Sequence, residues 1–374
     1  MKKKTDSNFL RYDYPSACAF YLGAIIVSLV CQALVAFVAA GLNGKFPNLT
    51  ENGDFNGAFM IIIQAANAAF IYLFGKLRKR RLNFTYFRGA TDGKPPRVVD
   101  YVLPPVCALL LLIGMYLPTL WFGYIAKAMG VPADAGAIAM DTPSAIVMVV
   151  IASVFLAPVC EESIYRGVLL HGLNERLTAV KAVLLSALAF TLMHMSPLQI
   201  VFQFAMGVLC GFIALKSKRL LPTILTHACG NALALIVAAT PLGNSLAGCE
   251  AWLVDNIAAA FFITLGLFVG GGAALFALVR FGFGYGSKAV KKSATENVET
   301  ENKAADDAGA PDASLDTENN AATDGDDDAD KRAAEAARGT AEEMRRRDGR
   351  FKYFIGIGIC LVMVIINLVA LVWA

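Results

Sequence analysis

Residues 144–170 read SAIVMVVIASVFLAPVCEESIYRGVLL. A helix of this length, rising about 1.5 Å per residue, exceeds the roughly 30 Å thickness of a bilayer's hydrocarbon core. Set inside the run are Glu161, Glu162 and Arg166. Charged side chains at such depth cost about 2.5–3.5 kcal/mol each on insertion scales and as a rule mark function. The stretch therefore sets both expectations for the chain: a helix that spans a membrane, and a polar site within it.

The rest of the chain agrees with the first expectation. Of its 374 residues 57% are hydrophobic and 17% charged, with a mean hydropathy of +0.56. Soluble domains carry roughly 25% charge, so an ordinary cytosolic enzyme is excluded. The net charge of +3 conceals two opposed regions. Residues 1–294 hold 24 Lys and Arg against 13 Asp and Glu, whereas residues 295–374 hold 9 against 17. The basic residues fall between apolar runs and form no water-facing patch of the kind nucleic acid requires, so no nucleic-acid partner is expected.

Seven further runs long enough to approach a crossing precede residue 281, near 16–42, 58–75, 101–129, 180–195, 198–215, 220–239 and 253–280, and another occupies 353–373. Between the runs at 180–195 and 198–215 only a short turn with Pro197 intervenes. The fold class expected is all-α: a polytopic transmembrane helix bundle of eight core spans, with a ninth span after a disordered acidic linker. The domains expected are a membrane core at 1–282, the linker at 283–350 and a C-terminal anchor at 351–374.

Orientation follows from the basic residues. Lys2–Lys4, the cluster Lys76 to Arg81, Arg176 with Lys181, Lys216 with Lys218 and Arg219, and Lys288 with Lys291 and Lys292 share one side if all eight runs cross. The opposite loops, 43–57, 130–143 and 240–252, carry Lys45 alone. An integral membrane protein with a cytoplasmic N-terminus is expected, in the plasma membrane of a prokaryote, with membrane lipids as its surroundings. The first run lacks a small-residue cleavage site and reads as an uncleaved span. The eight cysteines are scattered, with no Cys-x-x-Cys, and indicate neither a disulfide framework nor a sulfur zinc site. Residues 283–350, rich in Ala, Asp, Glu, Asn and Thr, lack the apolar surface to fold alone. Within them, 331–347 has the pattern of a helix whose Arg345–Arg347 face anionic head groups.

The second expectation rests on three helices. His194 ends the run at 180–195, and His227 and Asn231 lie in the run at 220–239; His194 and His227 are two of only three histidines. Counted from the cytoplasmic boundary, Glu161, His194, His227 and Asn231 fall at depths of roughly 10–21 Å at about 1.5 Å per residue. Polar groups from separate parts of the chain thus share a layer. Glu162 and Arg166 are i,i+4 neighbours able to pair, which turns Glu161 toward another helix. His227 and Asn231 likewise share a face. Phe190 lies one turn before His194, and Pro158 removes a backbone hydrogen bond just ahead of the glutamates.

Glu161-Glu162…Arg166, then Phe190…His194, then His227…Asn231 resembles the CPBP (CAAX protease and bacteriocin-processing, or Abi) family of intramembrane proteases, over roughly residues 140–240. The resemblance implies an endopeptidase acting on a peptide or protein substrate, possibly lipidated. It implies that Glu161 and His194 hold and deprotonate a water, that His227 and Asn231 donate to the oxyanion, and that Glu162 and Arg166 orient Glu161. No cofactor is then needed. The alternative is zinc on Glu161, His194 and His227, although no His-Glu-x-x-His motif occurs. Ser163 and Cys160 point to other faces than Glu161, so no Ser or Cys nucleophile is expected.

Other readings compete. The same residues taken singly suit a buried ion pair, a helix-end hydrogen bond and interhelical contacts. Intramembrane Glu, Arg and His also build proton relays, which makes a proton-coupled transporter an alternative, though no internal repeat of the motif helices is evident. A non-catalytic bacteriocin-immunity or scaffold protein is a third. Gly207-x-x-x-Gly211 and Gly266-x-x-x-Gly270 read as close-packing contacts.

Overall fold

A computed structural model of the chain describes residues 12–42, 45–46, 49–77, 97–131, 139–240, 251–252, 255–283 and 324–373. Among these the structure is helical, without strands. The long helices are α1 (Tyr14–Leu42), α2 (Gly53–Leu77), α3 (Val99–Ala128), α4 (Pro143–Asn174), α5 (Ala179–Met193), α6 (Ile200–Ser217), α7 (Leu221–Ala239), α8 (Ile257–Gly282) and α9 (Asp324–Trp373). All but α5 are long and apolar enough to cross a membrane, so the chain is a polytopic helical membrane protein. The expected span at 180–195 is α5. Its 15 residues rise about 22 Å at 1.5 Å each, short of the hydrocarbon core, because the left-handed Met195 (φ 52°) and Pro197 end the helix there.

Residues Gly284–Arg347 form a unit of their own, apart from that of 1–283 and 348–374. Of the expected linker at 283–350, residues 284–323 lie outside the described residues, as do Lys2–Lys4, Arg78–Arg81 and the lysines at 288–292. The remaining part is helical, since α9 begins at Asp324. Ion pairs at i,i+4 from Glu342 to Arg346, Glu343 to Arg347 and Asp348 to Lys352 favour helix in this polar stretch.

Two features of the core bear on the site. Helices α5 and α6 pack closely because a Cβ on Gly207 would come within 3.0 Å of the Ala187 Cα, and one on Gly211 within 2.9 Å of Val183. That pair is the close contact its spacing suggests. Gly266 and Gly270 are not: a Cβ on either would have nothing within 4 Å, and α8 instead brings Gly271 against Gly114 of α3. Small residues at i,i+4 permit approach but do not say which face meets a neighbour.

The second feature is α4. It is not a uniform α-helix: Ile151–Leu156 and Ser163–Leu169 are π-helical on either side of the α-helical Ala157–Glu162. Pro158 offers no N–H to the turn before it, and a widened turn accommodates that loss. The glutamates thus sit between two widened turns, of the kind frequently found at functional sites.

Candidate active site

The site is assembled from α4, α5 and α7, with a contribution from α2. Its inner part is a fully buried charge network. Arg166 Nη1 donates to Glu162 Oε1 at 2.9 Å, and both side chains have 0% exposure. Arg166 Nη2 donates to the Gly207 carbonyl at 3.1 Å, and the guanidinium lies 4.4 Å from the centre of the Phe190 ring. A buried ion pair is tolerated only when its remaining hydrogen-bonding capacity is also met. The Gly207 carbonyl and the aromatic face supply part of that here.

Glu162 has a further partner. Its Oε1 lies 3.0 Å from Nδ1 of His227, itself buried. A carboxylate already paired with arginine accepts, so Nδ1 of His227 carries the proton of that bond. The same logic fixes His194: its Nδ1 lies 2.9 Å from the Phe190 carbonyl, which can only accept. Both imidazoles therefore turn Nε2 the other way. Those atoms stand 4.0 Å (His194) and 3.9 Å (His227) from Oε2 of Glu161. Phe190 fixes both rings edge-on, with centroids 4.9 Å from His194 and 5.5 Å from His227.

Glu161 Oε2 is buried and has no hydrogen-bond partner among the described residues. With the histidines neutral, two lone-pair-bearing nitrogens from other helices lie near Glu161 Oε2, each at a separation that one water can bridge. Such a cluster is completed by something that donates hydrogen or carries positive charge. Zinc is the alternative occupant of this cluster. The donor types suit zinc, but tetrahedral ligands about 2.0–2.1 Å from the metal stand about 3.3 Å apart, closer than the separations here. Among the described residues no group of three His, Cys, Asp or Glu is gathered so as to hold a metal ion. No step of the chemistry proposed for the site uses a metal.

Asn231 is placed one turn beyond His227, and its Nδ2 donates at 2.7 Å to the Ser153 carbonyl in the first π-helical turn of α4. One amide proton is thus committed to holding α7 against α4, and the other is left over. Ser163 and Cys160 are engaged elsewhere, Ser163 Oγ donating to Val159 O at 2.6 Å and Cys160 Sγ to Gln64 O at 3.5 Å. The structure therefore brings together Glu161, His194 and His227, and separately Glu162, Arg166 and His227, with Asn231 beside Ser153.

One site residue escapes a reading of the sequence. Gln64 of α2 donates from Nε2 to Glu161 Oε1 at 3.4 Å, while its own Oε1 is buried and without a partner among the described residues. A search for charge in the spans passes over it. A search for any amide inside an apolar run would have found Gln64, and with it the buried Asn67 that accepts from Ser28 Oγ at 3.3 Å.

Residues 143–233 match the family profile "Type II CAAX prenyl endopeptidase Rce1-like". Across 107 residues the chain is 27% identical to the "Putative membrane peptidase YdiL" of Bacillus subtilis (strain 168), which covers 29% of this chain and 44% of that protein. The chain thus spans less than half the length of the curated relative it matches. No solved structure matches it. The matched segment contains all three motifs, with α4, α5 and the first part of α7, which carry them. On that segment the chain is similar to the CAAX-type membrane endopeptidases that the profile describes.

Proposed function

We propose that this chain is an intramembrane endopeptidase that hydrolyses a peptide bond of a membrane-associated or lipidated peptide with a water activated by Glu161. The observation that carries the reading is the convergence of Glu161 Oε2 with the two Nε2 atoms, 3.9 and 4.0 Å away, where His227 is buried and Glu161 and His194 are partly exposed. A water seated between them donates one hydrogen to Oε2 and the other to His194 Nε2. Its oxygen lone pair is thereby aimed away from both, toward a substrate carbonyl. As the O–C bond forms, Oε2 takes the proton, and returns it to the leaving amine as the C–N bond breaks.

The oxyanion formed in between needs donors. The second amide proton of Asn231 is one. His227 supplies another only as the doubly protonated ring, its Nδ1–H being held by Glu162. Each such donor is worth about 2.7–4 kcal/mol in comparable sites. Gln64 holds Glu161 Oε1, so that Oε2 is the oxygen presented to the water. Glu162 and Arg166 act one step back, by fixing His227 and α4.

The proposed chemistry uses no metal, and full activity in chelator-treated protein is the expected result. The plasma membrane of a prokaryote and a cytoplasmic N-terminus belong to the same proposal. The basic residues beside the apolar runs support them, and reporter fusions at each loop test them. The substrate is tested in cells by comparing the protein termini produced with wild-type chain and with Glu161→Ala. New termini confined to the wild type support the proposal, and identical terminus sets with an equally abundant variant oppose it.

A further inference from the structure

Helix α9 lies outside the segment shared with the family, yet it reaches the candidate site. Within its apolar run stands one amide, Asn367, whose Nδ2 donates at 2.7 Å to the carbonyl of Met195. Met195 directly follows His194 and is one of two described non-glycine residues with positive φ, at 52°. That conformation is strained for a residue with a side chain and persists only where its surroundings hold it. The Met195 carbonyl also belongs to a helix end, where intrahelical donors run out. The next residues are Ser196 and Pro197, and Pro197 has no N–H to offer. In lipid an unsatisfied carbonyl is expensive, so the Asn367 amide is what makes this turn affordable.

Two other contacts bind α9 to the same helix and its surroundings. Tyr353 Oη donates to the Leu185 carbonyl in α5 at 2.8 Å. From Tyr353 a line of packed rings runs through Tyr21, Tyr165 and Phe190 to His194, with centroid separations of 5.8, 6.1, 5.3 and 4.9 Å. Gly356 permits the approach, since a Cβ there would lie 2.6 Å from the Tyr21 ring.

We propose that Asn367 is a positioning residue for His194, and that α9 is a working part of the site and not a detachable anchor. Its bond to the Met195 carbonyl locks the left-handed turn that ends α5. That turn sets the backbone of His194, whose ring is already tied to the Phe190 carbonyl, so that Nε2 is held at its distance from Glu161. The consequence for turnover rests on the hydrolytic reading given above, while the positional consequence stands independently of it.

The test uses the full chain in lipid nanodiscs. The protein has three histidines, so 15N-histidine NMR resolves each ring, with His194 identified through His194→Gln. In Asn367→Leu the two ring nitrogens of His194 are expected to shift while His171 and His227 stay in place. Asn367→Ala gives the same reading should the Leu variant fail to fold. With a farnesylated Cys-a-a-X peptide as probe, kcat falls about 10–100-fold with KM little changed, the loss expected of a misplaced catalytic group. Asn367→Gln restores part of it. Tyr353→Phe, which removes the other α9–α5 hydrogen bond, lowers thermal stability but leaves His194 and kcat as in the wild type. Unshifted His194 resonances in folded Asn367→Leu or Asn367→Ala would overturn the proposal, and so would a Tyr353→Phe variant that reproduces their effect. Should the wild type cleave nothing, the hydrolytic reading fails while the NMR comparison still decides the positional one.

Discussion

Glu162 binds Arg166 and His227 through the same oxygen, Oε1, at 2.9 and 3.0 Å. A single buried carboxylate thereby couples the motif on α4 to the motif on α7. Removing any one of the three leaves a buried group without its partner, and the costs are not independent.

That coupling is measurable. Glu162→Leu alone strands the Arg166 charge and is expected to destabilise the protein by about 3–5 kcal/mol. Glu162→Leu combined with Arg166→Leu removes both charges and is expected to recover much of that loss. Thermal unfolding of the four proteins in one detergent checks the cycle. Additive destabilisation would mean that the pair is not coupled.

Phe190 contacts Arg166, His194 and His227 at once, so Phe190→Leu loosens three groups together. The cation–π contact with Arg166 accounts for about 0.5–2 kcal/mol. Turnover of the farnesylated probe is expected to fall more steeply than stability does, because both histidine rings lose their edge contact.

Gly207 and Gly266 differ in what a methyl group would meet. Gly207→Ala forces α5 and α6 apart at Ala187, moves the carbonyl that Arg166 binds, and is expected to destabilise by about 1–3 kcal/mol. Gly266→Ala meets nothing within 4 Å and is expected to be neutral or slightly stabilising. Melting temperatures of the two variants decide this.

Gln64→Leu frees Glu161 Oε1 to compete with Oε2 for the water. Activity is expected to fall about ten-fold, as for a general base whose orientation is loosened, with stability little altered. An unchanged rate would remove Gln64 from the site.

Much of this arrangement can be read in the residues alone, and the gaps have physical causes. Apolar runs predict membrane helices directly, and Glu161, Glu162, Arg166, His194 and His227 stand out because ionisable groups are costly there. Gln64 and Asn367 carry no charge, and their significance depends on which helix lies opposite. The short α5 turns on one left-handed residue, Met195, that hydropathy does not register. Helix α9 begins at Asp324, with i,i+4 ion pairs from Glu342 and Glu343, in a stretch whose composition suggests a spacer.

The most direct test of the central claim is the rate at which purified protein cleaves the farnesylated peptide, wild type against Glu161→Gln, at matched melting temperature and after treatment with chelator. Cleavage by the wild type is expected, undiminished by the chelator, with a loss of at least about 100-fold in Glu161→Gln, the lower end of the usual range for general base catalysis. Wild-type turnover by folded Glu161→Gln would contradict it.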